Sequence, residues 1–181
     1  EHVLSLGAKG VLNRKDFNCW GQLPTVNGPE FNDYMKESRK FGKAIWELTD
    51  KKDVDIVFEH PGESTFPVSV FVVKRGGMVV ICAGTTGFNL TMDARFLWMR
   101  QKRVQGSHFA NLKQASAANQ LVINRRIDPG MSEVFPWEDI PAAHDKMLDN
   151  KHLPGNMAVL VTSPKPGLRT VEDVLAVNGQ A

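Results

Sequence analysis

Three short segments with the pattern of strands, two of them apolar runs and the third running directly into a loop, constrain the fold more than any other feature. The loops that follow them are rich in glycine, proline or polar residues. The three segments lie at 54–58, 78–83 and 103–109. Apolar, β-branched runs of this length are typical of strands that are buried on both faces. Helix-like segments at 66–74 and 94–101 separate them. This alternation predicts an α/β fold with βαβ units, a parallel sheet and right-handed crossovers.

Further elements are predicted on both sides of this unit. The polar, turn-rich stretch 13–53 is long for a connection inside a compact domain, so we interpret it as functional or as an insertion. The other predicted elements are a short strand at 10–13, one or two helices within 30–48, an amphipathic helix at 112–124, strands at 131–135 and 157–161, a helix at 137–150 and a short helix at 171–177. We expect Ser64 or Thr65 to cap the helix that starts at Phe66, and the Gly76-Gly77 pair to form a turn.

The composition is that of an ordinary globular protein and excludes several functional classes. Hydrophobic residues make up 42% of the chain and charged residues 23%, which excludes a disordered tail. The 22 basic and 20 acidic residues are interspersed, so we predict no nucleic-acid partner. No apolar run reaches the roughly 20 residues of a membrane helix. Cys19 and Cys82 lie too far apart in the sequence to form a CxxC metal-binding motif, and we predict no metal site. We also predict a reducing, cytoplasmic location.

The first residues have the pattern of the last turns of a helix rather than of a native start. Leu4 and Leu6 are apolar, and Gly7 is suited to the left-handed conformation that ends helices. The chain opens on Glu1, without an initiator Met or a signal segment. We therefore expect a fragment of a longer protein, and the alternative is a short native N-terminal helix.

Three loops are candidates for a ligand site because ligands of open parallel sheets bind at the carboxyl ends of the strands. They are 59–62, 84–87 and 107–111. His60 and His108 each follow a predicted strand directly, although a lone histidine there is more often a hydrogen-bonding residue than a reactive one. Side chains alternate along a strand, so Glu59 and His60 are not expected to face the same ligand.

The other sequence motifs do not identify a function by themselves. Gly84-Thr85-Thr86-Gly87 can bring backbone N–H groups and hydroxyls near a ligand, but it is too short to identify a phosphate loop. The sequence contains no GxGxxG, GxxxxGK[ST] or HExxH motif. Cys82 is interpreted as a small buried hydrophobe in mid-strand rather than a nucleophile. From the residues alone, the chain is interpreted as half of an α/β nucleotide-binding domain.

The same loops carry a family resemblance. The segments 7–14, 54–62, 76–87, 95–99 and 106–111 resemble the crotonyl-CoA carboxylase/reductases, the reductive carboxylase branch of the medium-chain dehydrogenase/reductase superfamily. The resemblance runs from about Gly7 to Val161. The block 58–62 and the pairing of 97–99 with 106–109 are fairly specific to this branch.

The resemblance implies a fold, a division into domains and a reaction. The fold is the C-terminal half of a Rossmann-like parallel sheet plus a short segment that returns to the catalytic domain. Residues 1–130 would form the partial NADPH-binding domain, and 131–181 the return segment and a surface tail. The reaction is the NADPH-dependent reductive carboxylation of an α,β-unsaturated acyl-CoA, from crotonyl-CoA to ethylmalonyl-CoA. The fragment is expected to be inactive alone, since the Gly-rich fingerprint would precede Glu1.

The resemblance also implies site residues and partners. His60 matches the histidine that orients CO2 with a water, and its companions would lie upstream of Glu1. Strand-end placement together with the resemblance gives the candidate cofactor-binding residues, which are Thr85, Thr86, Gly87, Ser107, His108 and Phe109. The expected partners are the acyl-CoA, CO2, the missing N-terminal part or a companion chain, and further copies in a homo-oligomer.

Two alternatives remain open at this point. The first is a non-carboxylating enoyl-thioester or quinone reductase of the same superfamily, in which His60 is incidental. The second is a catalytically inactive domain that keeps the fold for oligomerisation, for which an apolar last strand within 104–109 would be suited.

Overall fold

The computed structural model describes residues 2–161, 163–167 and 176, which form two compact units within 1–109 and 110–181. The first unit contains α1 (His2–Ser5), a 3-10 turn (Arg14–Asp16), α2 (Phe31–Leu48), β1 (Val54–Glu59), α3 (Phe66–Val72), β2 (Val73–Ile81), α4 (Arg95–Trp98) and β3 (Arg103–Gly106). The second contains α5 (Leu112–Ile123), β4 (Met131–Phe135), a 3-10 turn (Trp137–Asp139), α6 (Ile140–Leu148) and β5 (Asn156–Val159). The predicted boundary at 130 concerns the domains of a whole enzyme and stays a prediction.

The first unit is built on a parallel sheet with strand order β1-β2-β3. Val57 pairs with Val79, and Val79 pairs with Val104 on the other side. Because neighbouring strands run in the same direction, their carboxyl ends lie along one edge of the sheet. The α/β class and the parallel arrangement predicted from the sequence are confirmed.

Helix α3 connects β1 to β2 and is buried on both of its sides. Phe66 and Val70 pack with Val79 of β2, whereas Val68 packs with Cys19 and Tyr34. Pro67 lies in the first turn, where its missing N–H costs no helical hydrogen bond. Burial on two sides explains why this segment is apolar nearly all round.

The boundaries of α3 and β2 differ from the prediction. The helix ends at Val72, and β2 already begins at Val73, so the Gly76-Gly77 pair lies inside the strand. The register with β1 shifts between Val54 and Ile56, and the positive φ of Gly76, +71°, falls within this irregular stretch. The glycines therefore mark a bulge rather than the turn that was predicted.

The predicted strand at 10–13 is wrong for the described structure. These residues do not pair with a second strand among the described residues. A strand needs such a partner because its backbone N–H and C=O groups form hydrogen bonds only with another strand. The preceding helix α1 does end as expected, with Gly7 at φ +95°. Helix α4 and strand β3 are shorter than predicted, at Arg95–Trp98 and Arg103–Gly106.

In the second unit β4 and β5 form a parallel pair connected through α6. Helix α5 begins with a capping box, in which Asn111 accepts from the N–H of Gln114 and the Gln114 side chain accepts from the N–H of Asn111. Although α5 was predicted to be amphipathic, none of its residues is buried. The predicted helix at 171–177 lies outside the described residues except for Ala176. Among the helices described, none is long and apolar enough to cross a membrane.

Candidate functional site at the carboxyl edge of the sheet

The loops that follow the three parallel strands meet at the carboxyl edge. The N–H of Cys82 donates to the carbonyl oxygen of Glu59 (3.1 Å), and the N–H of Ser107 donates to that of Ile81 (2.8 Å). A cleft of about 560 Å³ opens between the loops after β2 and β3. Its lining residues are Ile81, Cys82, Ala83, Gly84, Gly87, Phe88, Leu90, Gly106, Ser107 and His108. Gly87, Ser107 and His108 of the predicted cofactor-binding set are thus brought together.

The two neighbouring threonines of the 84–87 loop differ in their hydrogen bonds. The Thr86 hydroxyl donates to the carbonyl oxygen of Pro61 (2.8 Å) and accepts from the N–H of Ser64 (3.0 Å). The N–H of Thr86 donates to the same Pro61 oxygen (2.8 Å). The exposed Thr85 side chain makes no hydrogen bond within the described part of the chain. Thr86 therefore ties the loop after β2 to the loop after β1, whereas the Thr85 hydroxyl is available to a ligand.

Glycines allow these two loops to touch. Gly62 has a φ of +86°, and a Cβ at this position would lie 2.8 Å from both Gly84 Cα and the carbonyl oxygen of Gly87. A side chain at residue 62 would therefore be strained in its own backbone and would push the loops apart.

Glu59 is a functional candidate that the sequence interpretation missed. Its side chain is 2% exposed and accepts hydrogen bonds from the N–H of Gly62 (2.9 Å), the hydroxyl of Thr65 (2.5 Å) and the hydroxyl of Ser69. A buried carboxylate is costly unless its oxygens are hydrogen-bonded, and here they are. Thr65, which was expected to cap α3, donates to Glu59 instead. An acidic residue at the end of an apolar, β-branched run, followed by hydroxyl residues at and after the start of the next helix, is the signal that points to such a site.

His60 and His108 occupy different environments. His60 is exposed and makes no hydrogen bond within the described residues, and it is not among the residues that line the cleft. His108 lines the cleft, and its ring lies 3.8 Å from that of Phe109, which is 92% exposed at a φ of +48°. As expected from strand alternation, Glu59 is buried whereas its neighbour His60 faces outward.

Cys82 does not lie where the sequence interpretation placed it. Strand β2 ends at Ile81, so Cys82 is the first residue of the loop rather than a mid-strand residue. Its side chain is half-buried and lines the cleft, with Sγ 3.7 Å from the carbonyl oxygen of Glu59.

Two charged side chains are buried in the first unit away from the cleft. Asp93 is paired with the Arg95 guanidinium, whose hydrogen bonds hold the pKa of the Asp93 carboxyl below its usual range. The Lys102 ammonium donates to the carbonyl oxygens of Val70 (2.8 Å) and Phe71 (2.7 Å) at the end of α3. Burial, reinforced by Arg100, lowers the pKa of Lys102 to about 8.

Comparison with known proteins places this arrangement in a family. The family model described as zinc-binding dehydrogenase matches residues 27–124, which is more than half of the chain. The chain belongs to the zinc-binding dehydrogenase family. The described residues of this chain do not fit a metal centre, because they contain no group of three or more His, Cys, Asp or Glu that could hold an ion.

Two curated relatives in the family carry related names. The chain is 71% identical over 182 aligned residues to the crotonyl-CoA carboxylase/reductase of Cereibacter sphaeroides, covering 100% of this chain and 42% of the relative. It is 39% identical over 166 residues to a crotonyl-CoA reductase of Streptomyces collinus, covering 91% of this chain and 35% of the relative. The predicted resemblance to the reductive carboxylases is confirmed. The chain spans less than half the length of the curated relatives it matches.

Solved structures of the family show the same fold. A crotonyl-CoA carboxylase/reductase superposes with a TM-score of 0.86 at 74% identity, over 97% of this chain and 41% of that one. The carboxylase/reductase AntE in complex with NADP has a TM-score of 0.84 at 43% identity, over 91% of this chain and 41% of that one. The Rossmann-like assignment of the sheet is therefore confirmed.

Proposed function

We propose that this chain is the C-terminal part of a reductive carboxylase that uses NADPH to reduce an α,β-unsaturated acyl-CoA and adds CO2 to its α-carbon. With crotonyl-CoA the product is ethylmalonyl-CoA. The observation that carries the proposal is the cleft at the carboxyl edge, bounded by two loops of the parallel sheet and adjoining the turn that presents His60. The 71% identity to a crotonyl-CoA carboxylase/reductase supports the reaction class.

The cleft fits the nicotinamide half of NADPH. Its floor is formed by the ends of β2 and β3, and Gly106, where a Cβ would meet no atom within 4 Å, leaves room for a flat ring near the backbone. Ser107 and the unpaired hydroxyl of Thr85 are suited to hydrogen-bond a carboxamide, and the His108 ring lines the cleft with the exposed Phe109 ring beside it, available to cover a bound ligand. When bound, the cofactor supplies the hydride for the β-carbon of the acyl-CoA.

His60 is suited to orient CO2. Carbon dioxide has no net charge, so weak hydrogen bonds to its oxygens must hold it near the enolate that reduction leaves. The His60 ring is exposed and has no partner among the described residues, so its nitrogens are available for this purpose. Water must be kept from the α-carbon, because protonation there gives the simply reduced product.

We also propose a cellular location and an oligomeric state for the whole enzyme. The whole enzyme is cytoplasmic, consistent with the free thiols of Cys19 and Cys82, and it is a homo-oligomer. Within the described residues β3 pairs only with β2, which leaves its other edge available to a neighbouring strand.

Isotope incorporation by the full-length protein tests the proposed reaction. The protein is incubated with crotonyl-CoA, NADPH and ¹³C-labelled CO2, and the masses of the acyl-CoA products are measured by mass spectrometry. We expect labelled ethylmalonyl-CoA, with one NADPH oxidised for each product molecule. Butyryl-CoA alone at saturating CO2 would identify the non-carboxylating reductase. No NADPH oxidation with any enoyl-CoA would favour the inactive oligomerisation domain.

A further inference from the structure

We infer that Thr86 and Glu59 are positioning residues, which hold the turn formed by residues 60–62 and thereby set how the enolate is divided between CO2 and a proton. We call residues 60–62 the His60 turn. The inference rests on the proposed function, because it concerns the residue that orients CO2. Neither side chain needs to touch a reactant to have this effect.

Thr86 holds the His60 turn from the side of the 84–87 loop. Its hydroxyl and its N–H both donate to the carbonyl oxygen of Pro61, each at 2.8 Å. The same hydroxyl oxygen accepts from the N–H of Ser64 and lies 3.0 Å from the Ser64 hydroxyl. One side chain thus bonds to the turn and to the residues just after it.

Glu59 holds the turn from the side of the core. It is buried and binds the N–H of Gly62, the last residue of the turn, at 2.9 Å. The hydroxyls of Thr65 and Ser69 donate to its two oxygens and fix the carboxylate against α3. Since α3 is buried on both sides, Glu59 is bonded to a helix that is packed into the core.

The hydrogen bonds from Thr86 and Glu59 to the turn matter because the His60 side chain makes none within the described residues. These residues therefore constrain the imidazole only through the backbone of the turn, from which its rotamers start. Gly62 is in close contact with Gly84 and Gly87, and both of these line the cleft. The CO2-orienting group and the cleft are therefore built on one hydrogen-bonded unit, and a small misplacement of a reactant is costly in rate.

Removal of the Thr86 hydroxyl in the full-length enzyme tests the inference. Thr86→Val keeps the side-chain shape but leaves the N–H of Ser64 without its acceptor, and Thr86→Ser restores the hydroxyl. We expect Thr86→Val to raise the ratio of reduced to carboxylated product about three- to tenfold at fixed CO2, the scale of one lost hydrogen bond. The KM for NADPH is measured alongside, and Thr86→Ser is expected to return the ratio to the wild-type value. Thr65→Val, which removes one of the donors to Glu59, is expected to raise the ratio in the same direction.

Thr49→Val is the matched control for a general loss of stability. The Thr49 hydroxyl also bonds to backbone carbonyls, those of Ile45 and Lys52, but it lies at the end of α2 away from the three loops. We expect this variant to leave the product ratio unchanged even where it lowers the melting temperature. An equal rise of the ratio in Thr49→Val would overturn the inference.

The remaining outcomes separate this inference from the proposed function. A raised KM for NADPH in Thr86→Val with an unchanged product ratio would overturn the inference and make Thr86 a cofactor contact. A wild-type enzyme that forms only the reduced product would overturn the proposed function and the inference with it. A carboxylating wild type with an unchanged ratio in both Thr86→Val and Thr65→Val would overturn the inference alone.

Discussion

Lys102 is a buried cation that stabilises the end of α3, and no acidic side chain among the described residues contacts it. Its side chain is 9% exposed, and its ammonium group binds two carbonyl oxygens that the last turn of the helix leaves unpaired. The ammonium also lies 4.8 Å from the centre of the Phe96 ring. A neutral amine retains two N–H donors for the same carbonyls, so deprotonation need not break this cap.

The lowered pKa of Lys102 makes the stability of the protein dependent on pH. Its pKa is 10.5 in a model peptide and about 8 in the fold, so between these values the unfolded chain binds more protons than the folded chain. The free energy of unfolding therefore rises with pH across this window and is flat below it. At about 1.4 kcal/mol for each pKa unit, the gain is about 3 kcal/mol.

Thermal unfolding of the full-length protein and its Lys102→Met variant measures this effect. We expect the melting temperature of the wild type, relative to that of the variant, to increase by several degrees between pH 7.5 and pH 10. The comparison cancels the other titrating groups, which the two proteins share. A difference that stays constant with pH would contradict the assignment.

Residue roles at the carboxyl edge could be predicted only in part. The opposite orientations of Glu59 and His60 follow from strand alternation and were predicted. The partners of Glu59 were not, because Thr65 and Ser69 reach it only once α3 has packed against the sheet. Thr85 and Thr86 look equivalent in the sequence, and only the contact between two loops far apart in the chain distinguishes them.

At the scale of elements, the prediction was most accurate where one short segment determines its own structure. Val54–Glu59 and Phe31–Leu48 formed close to the expected bounds, since a β-branched run and a helical period are local signals. The predicted strand at 10–13 did not form, because a strand depends on a partner that the local sequence does not contain. The early start of β2 at Val73 depends likewise on its pairing with Val54.

At the scale of the whole molecule, the first unit exposes an apolar strip on its first strand. Ile56 and Phe58 of β1 are 62% and 69% exposed, and alternation places them on one face of the sheet. The prediction of strands buried on both faces is therefore wrong for β1, and also for β3, whose residues are all exposed. An exposed apolar patch on a protein surface favours contact with another surface. Within the described residues β1 pairs only with β2. We propose that this strip is covered by the N-terminal part of the whole enzyme.

Sedimentation velocity of the isolated 181-residue polypeptide tests this expectation. We expect it to self-associate at micromolar concentration, and Phe58→Thr to reduce the association. Leu148→Thr, which changes an even more exposed apolar side chain on α6, is the control and is expected to leave the association unchanged. A monomeric polypeptide that unfolds in one cooperative transition would contradict the proposal.

Product partitioning in the His60→Asn variant of the full-length enzyme tests the role of this chain in carboxylation most directly. If His60 orients CO2, the enolate still forms but a proton competes better for its α-carbon. At saturating CO2 the ratio of reduced to carboxylated product is expected to rise about tenfold or more, since a misplaced reactant costs up to about a hundredfold in rate. NADPH oxidation is expected to fall much less than carboxylation. An unchanged ratio in a well-folded variant would contradict the role of His60 and leave only a generic reductase.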